Sequence, residues 1–219
     1  MAPDSAEVSG RVLAAQPTKP DAVRVAATAL DALTTSLATL GGVVLTPRTV
    51  RAPLTWSAYS VATQVEREHN PNSGRSEPTG RVLASVNVNI AVRDFALLGQ
   101  LGVVFARQDA FYVDGIAWHV DDDNPAWADV RAAAIEAAVR KGRDYANALG
   151  STLTGVEHIA DTGLLGGTGP GLPVFHAASR MLASAGGDDL DAPSLDPVPQ
   201  ELTAVIEARF SASSVPVTG

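Results

Sequence analysis

The residues best suited to chemistry stand in one acidic run, in which Asp121, Asp122 and Asp123 are consecutive. Calcium and magnesium ions prefer several oxygen ligands, so this run is a weak candidate metal site. It lacks the alternating ligands and the glycine of a calcium-binding loop. Asn124-Pro125 follows directly and predicts the start of a helix, where acidic side chains are favoured without any metal. We therefore favour a turn between a strand and a helix, and we predict no metal and no other cofactor.

A second candidate is the Gly-rich segment 163–173, GLLGGTGPGLP. It lacks the Gly-Lys-Ser/Thr ending of a phosphate-binding loop, and no convincing helix start follows it. The four histidines show no ligand spacing, and the absence of cysteine excludes a thiol nucleophile and Cys-ligated metals. We therefore predict a protein that is not an enzyme. The alternative is a small-molecule-binding protein or hydrolase with a pocket near the Gly-rich segment.

Three tryptophans, Trp56, Trp118 and Trp127, stand out because aromatic residues make up only 5% of the chain. Large aromatic side chains anchor cores and interfaces, so these residues are candidate interface or ligand contacts. Trp118 alternates with Ile116 and Val120, which predicts that the three share one face of a strand. We favour a structural role for the tryptophans over stacking on a ligand.

The overall charge and hydropathy narrow the range of partners and compartments. The formal net charge is -8 and the basic residues form no stripe, which argues against a nucleic-acid partner. No stretch approaches the ~18 apolar residues needed to span a membrane. The first residues, MAPDSAEVSG, lack the basic and apolar regions of a secretory signal, so the chain as written is predicted to be cytoplasmic. A start further upstream that carries a signal would make it periplasmic or envelope-associated.

Hydrophobic periodicity predicts an α+β fold with a mostly antiparallel sheet packed by helices. Two strand–helix–strand–strand units are predicted, at residues 1–66 and 81–219, and the second contains an extra long helix. A polar loop at 67–80, read as the tip of a long hairpin, joins them. The clearest strand is RVLASVNVNIAVRD, in which valine and isoleucine alternate with polar residues. A closing strand is predicted at about 200–213.

Two segments, VNVNIAVRDFALLGQL and ADVRAAAIEAAVRKGRDYANALGSTLTGVEHIADTG, resemble the SIMPL-domain family. The family pattern is a strand ending in aspartate, an Ala-rich helix, a YA-x-x-LG ending and a strand of G-V-x-x-I type. The resemblance covers residues 3–213, so both units would form one SIMPL-type domain of the shorter, actinobacterial kind. It implies no catalytic residues. Some members look like builders of ring-shaped oligomers, and bacterial members are linked loosely to stress tolerance and the cell envelope.

The start of the chain departs from the family pattern. Members open with a strand that runs into a Pro-Asp pair, but here Pro3-Asp4 stands almost at the first residue. Either the true start lies upstream, or the sheet has an unfilled edge that another chain could occupy. We therefore predict a self-associating binding or scaffold module that forms a homo-oligomer, with another protein partner left open.

Overall fold

The computed structural model describes residues 1–59, 61–71, 74–164 and 196–213. Its residue contacts divide the chain into two units. The larger unit contains Ala2–Asp121, and the smaller contains the described residues 122–164 and 201–213. Both units combine helices with antiparallel strands, which confirms the predicted α+β class.

The larger unit is built on a six-stranded sheet covered by two helices. Its order is β2-β3-β5-β1-β6, and β4 pairs with the first half of β5. The β2–β3 pair is parallel and the other pairs are antiparallel. The elements are β1 (Ser5–Gln16), α1 (Lys19–Thr39), β2 (Val43–Val44), β3 (Leu54–Ala58), β4 (Ala62–Asn70), β5 (Arg75–Val92), α2 (Leu98–Ala106) after a 3-10 turn (Phe95–Leu97), and β6 (Phe111–His119).

The core lies between α1 and one face of this sheet. Alternate residues of β1 and β5 point to that face because side chains along a strand alternate between its two sides. Helix α1 begins after Thr18, whose hydroxyl oxygen accepts a hydrogen bond from the Asp21 backbone N–H at 3.3 Å. The helix is followed by Gly41, which has a left-handed backbone with φ of 80°. The buried residues that meet here are Ala6, Val8, Val12, Val86, Val88, Ile90 and Val92 from the sheet and Ala22, Ala26, Leu33 and Leu37 from α1.

Strand β5 has two halves with different surroundings. Its second half pairs with β1 from Val82 to Val92, whereas the first half pairs only with β4 among the described strands. Residues 66–70 and 75–81 therefore form an exposed two-stranded ribbon, here called the hairpin arm. The predicted polar loop at 67–80 lies in this arm, and most of it is strand. Polar side chains on both faces hide such a strand from a hydrophobic pattern.

The smaller unit contains α3 (Ala126–Ala148), β7 (Leu153–Asp161) and β8 (Ile206–Ala212), and its two strands pair in antiparallel fashion. The predicted helix start is confirmed, since the Asn124 side-chain oxygen accepts a hydrogen bond from the Ala126 backbone N–H at 3.0 Å. The predicted closing strand contains β8. No helix within the described ranges is long and apolar enough to cross a membrane.

Candidate functional site

Asp121 is held by two arginines at the end of β6. Arg93 contacts both of its carboxylate oxygens, with Nη1–Oδ2 at 2.7 Å and Nη2–Oδ1 at 3.0 Å. Arg51 Nη1 contacts Oδ2 at 2.8 Å. The Asp121 backbone N–H donates to the Asp4 carboxylate at 2.9 Å. Arg93 Nε also donates to the Val50 carbonyl at 3.1 Å. This cluster therefore joins the chain start, the segment before β3 and the ends of β5 and β6.

The ion pairs set the charge state of Asp121. Hydrogen bonds from Arg93 lower the pKa of the Asp121 carboxyl below its ordinary value, although partial burial acts to raise it. The positive charges of Arg93 and Arg51 lower this pKa further. The side chain of Asp121 is 17% exposed. A partly buried carboxylate with both oxygens bound to guanidinium groups is suited to fixing structure.

The acidic run is thus divided by the structure. Asp121 belongs to the larger unit, whereas Asp122 and Asp123 are exposed at the start of the smaller one. Across the part of the chain that the structure describes, no three His, Cys, Asp or Glu residues are placed to hold a metal ion together. Sequence could not reveal the arginines around Asp121, because Arg93 and Arg51 are 28 and 70 residues away.

The tryptophans occupy three separate positions. Trp118 on β6 meets Phe95 edge to face, with ring centroids 5.6 Å apart and an interplanar angle of 81°. Trp56 on β3 lies opposite Ile90, and both Trp56 and Trp118 pack partly buried against the core. Trp127, in the first turn of α3, has the Arg131 guanidinium 5.7 Å from its ring centroid. These contacts favour packing roles for Trp56 and Trp118.

An open cleft of about 380 Å³ lies at the base of the hairpin arm. One of its two glutamates, Glu66, contacts Arg81 Nε at 2.9 Å and accepts a hydrogen bond from the Thr79 hydroxyl at 2.6 Å. Three of the five lining residues, Glu66, Thr79 and Arg81, thus bind one another. No motif in the sequence predicted this cleft. Its lining residues are Glu66, Arg67, Glu68, Thr79 and Arg81.

The Gly-rich segment 163–173 lies mostly outside the described residues. Only Gly163 and Leu164 are described. Gly163 has φ of 89°, and its backbone N–H donates to the Glu207 carboxylate at 2.9 Å. The predicted pocket near this segment stays a prediction.

The outer edge of β6 is the most distinctive surface of the larger unit. Strand β6 pairs with β1 on one side, and no strand among the described residues pairs with the other side. Its nine residues include no Lys, Arg or Pro. Tyr112 and Val113 are 53% and 44% exposed. A long, apolar, unprotected edge is the kind of strand to which another strand adds.

The acidic and the imidazole side chain of β6, Asp114 and His119, contact neighbours on β1. Arg11 contacts both carboxylate oxygens of Asp114, with Nη2–Oδ1 at 2.7 Å and Nε–Oδ2 at 3.0 Å. His119 Nε2 lies 3.5 Å from a carboxylate oxygen of Glu7. Arg11 therefore balances the charge of Asp114 on this strand, although the chain as a whole carries -8.

The other unpaired edges of the described sheet differ from β6. Strand β2 has only two residues. The edge of β4 carries Glu66, Arg67 and Glu68 in succession, and charged side chains protect an edge against further pairing. The first half of β5 contains Pro78, which cannot donate a backbone hydrogen bond. Among the described edges of the six-stranded sheet, only β6 combines length with a largely apolar, proline-free sequence.

Comparison with known proteins supports a family assignment. A family model described as SIMPL, a protein of unknown function (DUF541), matches residues 1–210 of the chain. The match confirms the resemblance inferred from the strand and helix motifs. No curated protein matches the chain.

Proposed function

The chain belongs to the SIMPL family, whose function is unknown, and from this premise we propose that it is a non-catalytic, self-associating binding or scaffold module. The observation that carries the proposal is the unpaired outer edge of β6 within the described sheet. The shorter actinobacterial type, the homo-oligomer and the envelope or stress-related role are predictions of the resemblance and belong to the same proposal.

Backbone hydrogen bonding supports a strand as the occupant of this edge. An edge strand presents backbone N–H and C=O groups to which a second strand adds by hydrogen bonding. The exposed Tyr112 and Val113 add apolar surface beside these groups, and burial of apolar surface stabilises association.

The pairing of charges at this edge supports a contact between copies there. Two chains that each carry -8 repel one another at long range. The repulsion is weakest where the facing surfaces are locally neutral. Along β6, the pairing of Asp114 with Arg11 leaves little net charge to oppose a second copy.

The test is the absolute mass in solution, measured by light scattering on a sizing column across a range of concentrations. We expect a defined oligomer for the native chain. Ala117→Lys places a charge on the open edge and should shift the mass towards the monomer, because lysine on an edge strand opposes pairing. The lysine lies opposite Glu7 on β1, so the fold of the chain should tolerate it.

The matched control is Val65→Lys on the edge of β4, where the native side chain is 56% exposed. This variant should keep the native mass. A native chain that stays monomeric at high micromolar concentration would contradict the proposal, as would equal effects of the two lysine variants.

A further inference from the structure

The six-stranded sheet has a second face, which points away from α1 and is here called the outer face. Asn87 and Asn89 alternate along β5 with residues buried in the core, so their side chains lie on the outer face. On β1, Arg11 lies opposite Asn87 and Ser9 lies opposite Asn89. Because directly opposite residues of paired strands share a face, these four side chains lie side by side.

Two exposed tyrosines stand at the ends of one row across this face. The Tyr59 backbone N–H donates to the Asn87 carbonyl at 3.0 Å, so Tyr59 continues the register of β3 and lies opposite Asn87. At the other end, Tyr112 on β6 lies opposite Arg11. Tyr59 and Tyr112 are 57% and 53% exposed. The row crosses the sheet at three strand spacings, which makes it roughly 14 Å long.

The polar groups between the tyrosines have unused hydrogen-bonding capacity. Within the part of the chain that the structure describes, the side chains of Asn87, Asn89 and Ser9 form no hydrogen bond. The Ser57 hydroxyl oxygen, opposite Asn89 in the neighbouring row, is buried and has no partner among the described residues. An amide side chain provides two donors and an acceptor. A ligand that both donates and accepts hydrogen bonds would use these groups.

The charges of the outer face favour a neutral ligand. Arg11, the cation of the row, contacts both carboxylate oxygens of Asp114, at 2.7 and 3.0 Å. The chain as a whole carries -8. An anionic ligand would therefore be repelled at long range and would meet a cation that is already paired.

From these observations we infer that the outer face binds a neutral oligosaccharide along the row from Tyr59 to Tyr112. Sugar hydroxyls are uncharged and both donate and accept hydrogen bonds, which matches the free amides of Asn87 and Asn89. The C–H groups of a sugar ring pack on the electron-rich face of an aromatic ring. The row is longer than a single sugar ring, so a chain of linked sugars is the ligand that contacts both tyrosines.

Single-stranded nucleic acid is the other ligand that stacks on aromatic side chains of a sheet. Its binding sites combine the aromatics with a positively charged groove for the phosphates. The pairing of Arg11 with Asp114 leaves this row without such a groove. A neutral sugar is therefore the better match, and an oligonucleotide serves as the competing probe.

Isothermal titration calorimetry of the full chain with cellotetraose, maltotetraose and tetra-N-acetylchitotetraose tests the inference. We expect at least one of these neutral probes to bind with a millimolar or lower Kd. Tyr59→Ala and Asn87→Ala should each weaken that binding about five-fold, the order expected for one stacking contact or one hydrogen bond. Tyr59→Phe keeps the ring and should bind with native affinity.

The matched controls are Tyr145→Ala and Asn147→Ala on α3, which remove exposed side chains of the same two types from the smaller unit. Both should bind the probe with native affinity. Tyr59 and Asn87 are exposed, so urea unfolding of their alanine variants should show native stability. Weaker binding would then reflect a lost contact with the sugar.

The outcomes are distinct from those for self-association. The absence of binding to all the neutral probes at millimolar concentration would overturn the inference, as would equal losses in the outer-face and α3 variants. Tighter binding of tetragalacturonic acid, whose sugars carry carboxylates, or of oligouridine would overturn the choice of a neutral sugar. The mass in solution tests the proposed function separately, because Tyr59 and Asn87 lie away from β6.

Discussion

The β6 edge and the hairpin arm are both unpaired along one side within the described sheet, yet their chemistry is opposite. The arm is exposed on both faces and interleaves Glu66, Arg67 and Glu68 along one edge. Strand β6 is apolar, and at its two ends Phe111 and Trp118 pack onto the core. An open edge alone therefore does not indicate a partner. The proposal of a partner at β6 rests on its largely apolar sequence, which the hairpin arm lacks.

The two largest expected effects are of similar size, and the first comes from Gly10→Ala, which acts on the attachment of β6 to the sheet. A Cβ at residue 10 would overlap the ring of Phe111 and lie 2.7 Å from the Tyr112 carbonyl oxygen. Because backbone must shift, we expect a loss of about 1–3 kcal/mol in the free energy of unfolding. Self-association should weaken along with the stability. Urea unfolding measures the change in stability, and light scattering measures the change in self-association.

The control for this variant is Gly99→Ala in α2, where an added Cβ meets nothing within 4 Å. Alanine is the better helix former, so the stability should be unchanged or slightly higher. Equal stabilities of the two alanine variants would show that β6 is not held through the close contact at Gly10.

The next effect on stability is expected from a change at Asp121, which follows the far end of β6. Asp121→Asn removes the charge that binds Arg93. It should lower the free energy of unfolding by about 1.5–3 kcal/mol, the usual contribution of hydrogen bonds to charged groups. Since folding lowers the pKa of Asp121, its contribution is complete above the ordinary value of 3.8. The contribution is then lost as the pH falls through the lowered pKa.

Urea unfolding of both proteins from neutral to acidic pH measures this difference. The gap between native and Asp121→Asn stability should be constant near pH 7 and should close below the ordinary pKa. Asp122→Asn, a change at an exposed neighbouring carboxylate, should have little effect. A gap that persists unchanged in strong acid would contradict an ionic role for Asp121.

The smallest effect is expected in the hairpin arm. Glu66→Gln weakens the contact with Arg81, whose side chain is 51% exposed. Exposed ion pairs contribute about 0–1 kcal/mol, so stability should change little, and the change should vanish at high salt. The mass in solution should stay native. A drop to monomer would move the interface from β6 to the arm.

The sequence predicted those parts of the molecule in which local pattern and burial agree. Alternation in Val86, Val88, Ile90 and Val92 identified β5, and all four side chains are buried as expected. The shared face of Ile116 and Trp118 was also predicted. These predictions succeed because one buried face imposes a period of two on the strand.

The sequence could not predict features that depend on distant pairing. Polar composition concealed the strands of the hairpin arm, since neither face of an exposed ribbon requires apolar residues. The sequence left open either a start further upstream or an unfilled edge of the sheet, and the structure pairs β1 on both sides, with β5 and β6. The open edge of β6 became visible only from the order of strands in the sheet.

Backbone hydrogen exchange at two protein concentrations, one below and one above the onset of association, tests the central claim most directly. Peptides that cover Phe111–His119 should exchange more slowly at the higher concentration, because a partner strand protects amide groups on the outer edge of β6. Peptides from the hairpin arm should exchange at the same rate at both concentrations. Protection confined to the arm, or association without any change at β6, would contradict the account.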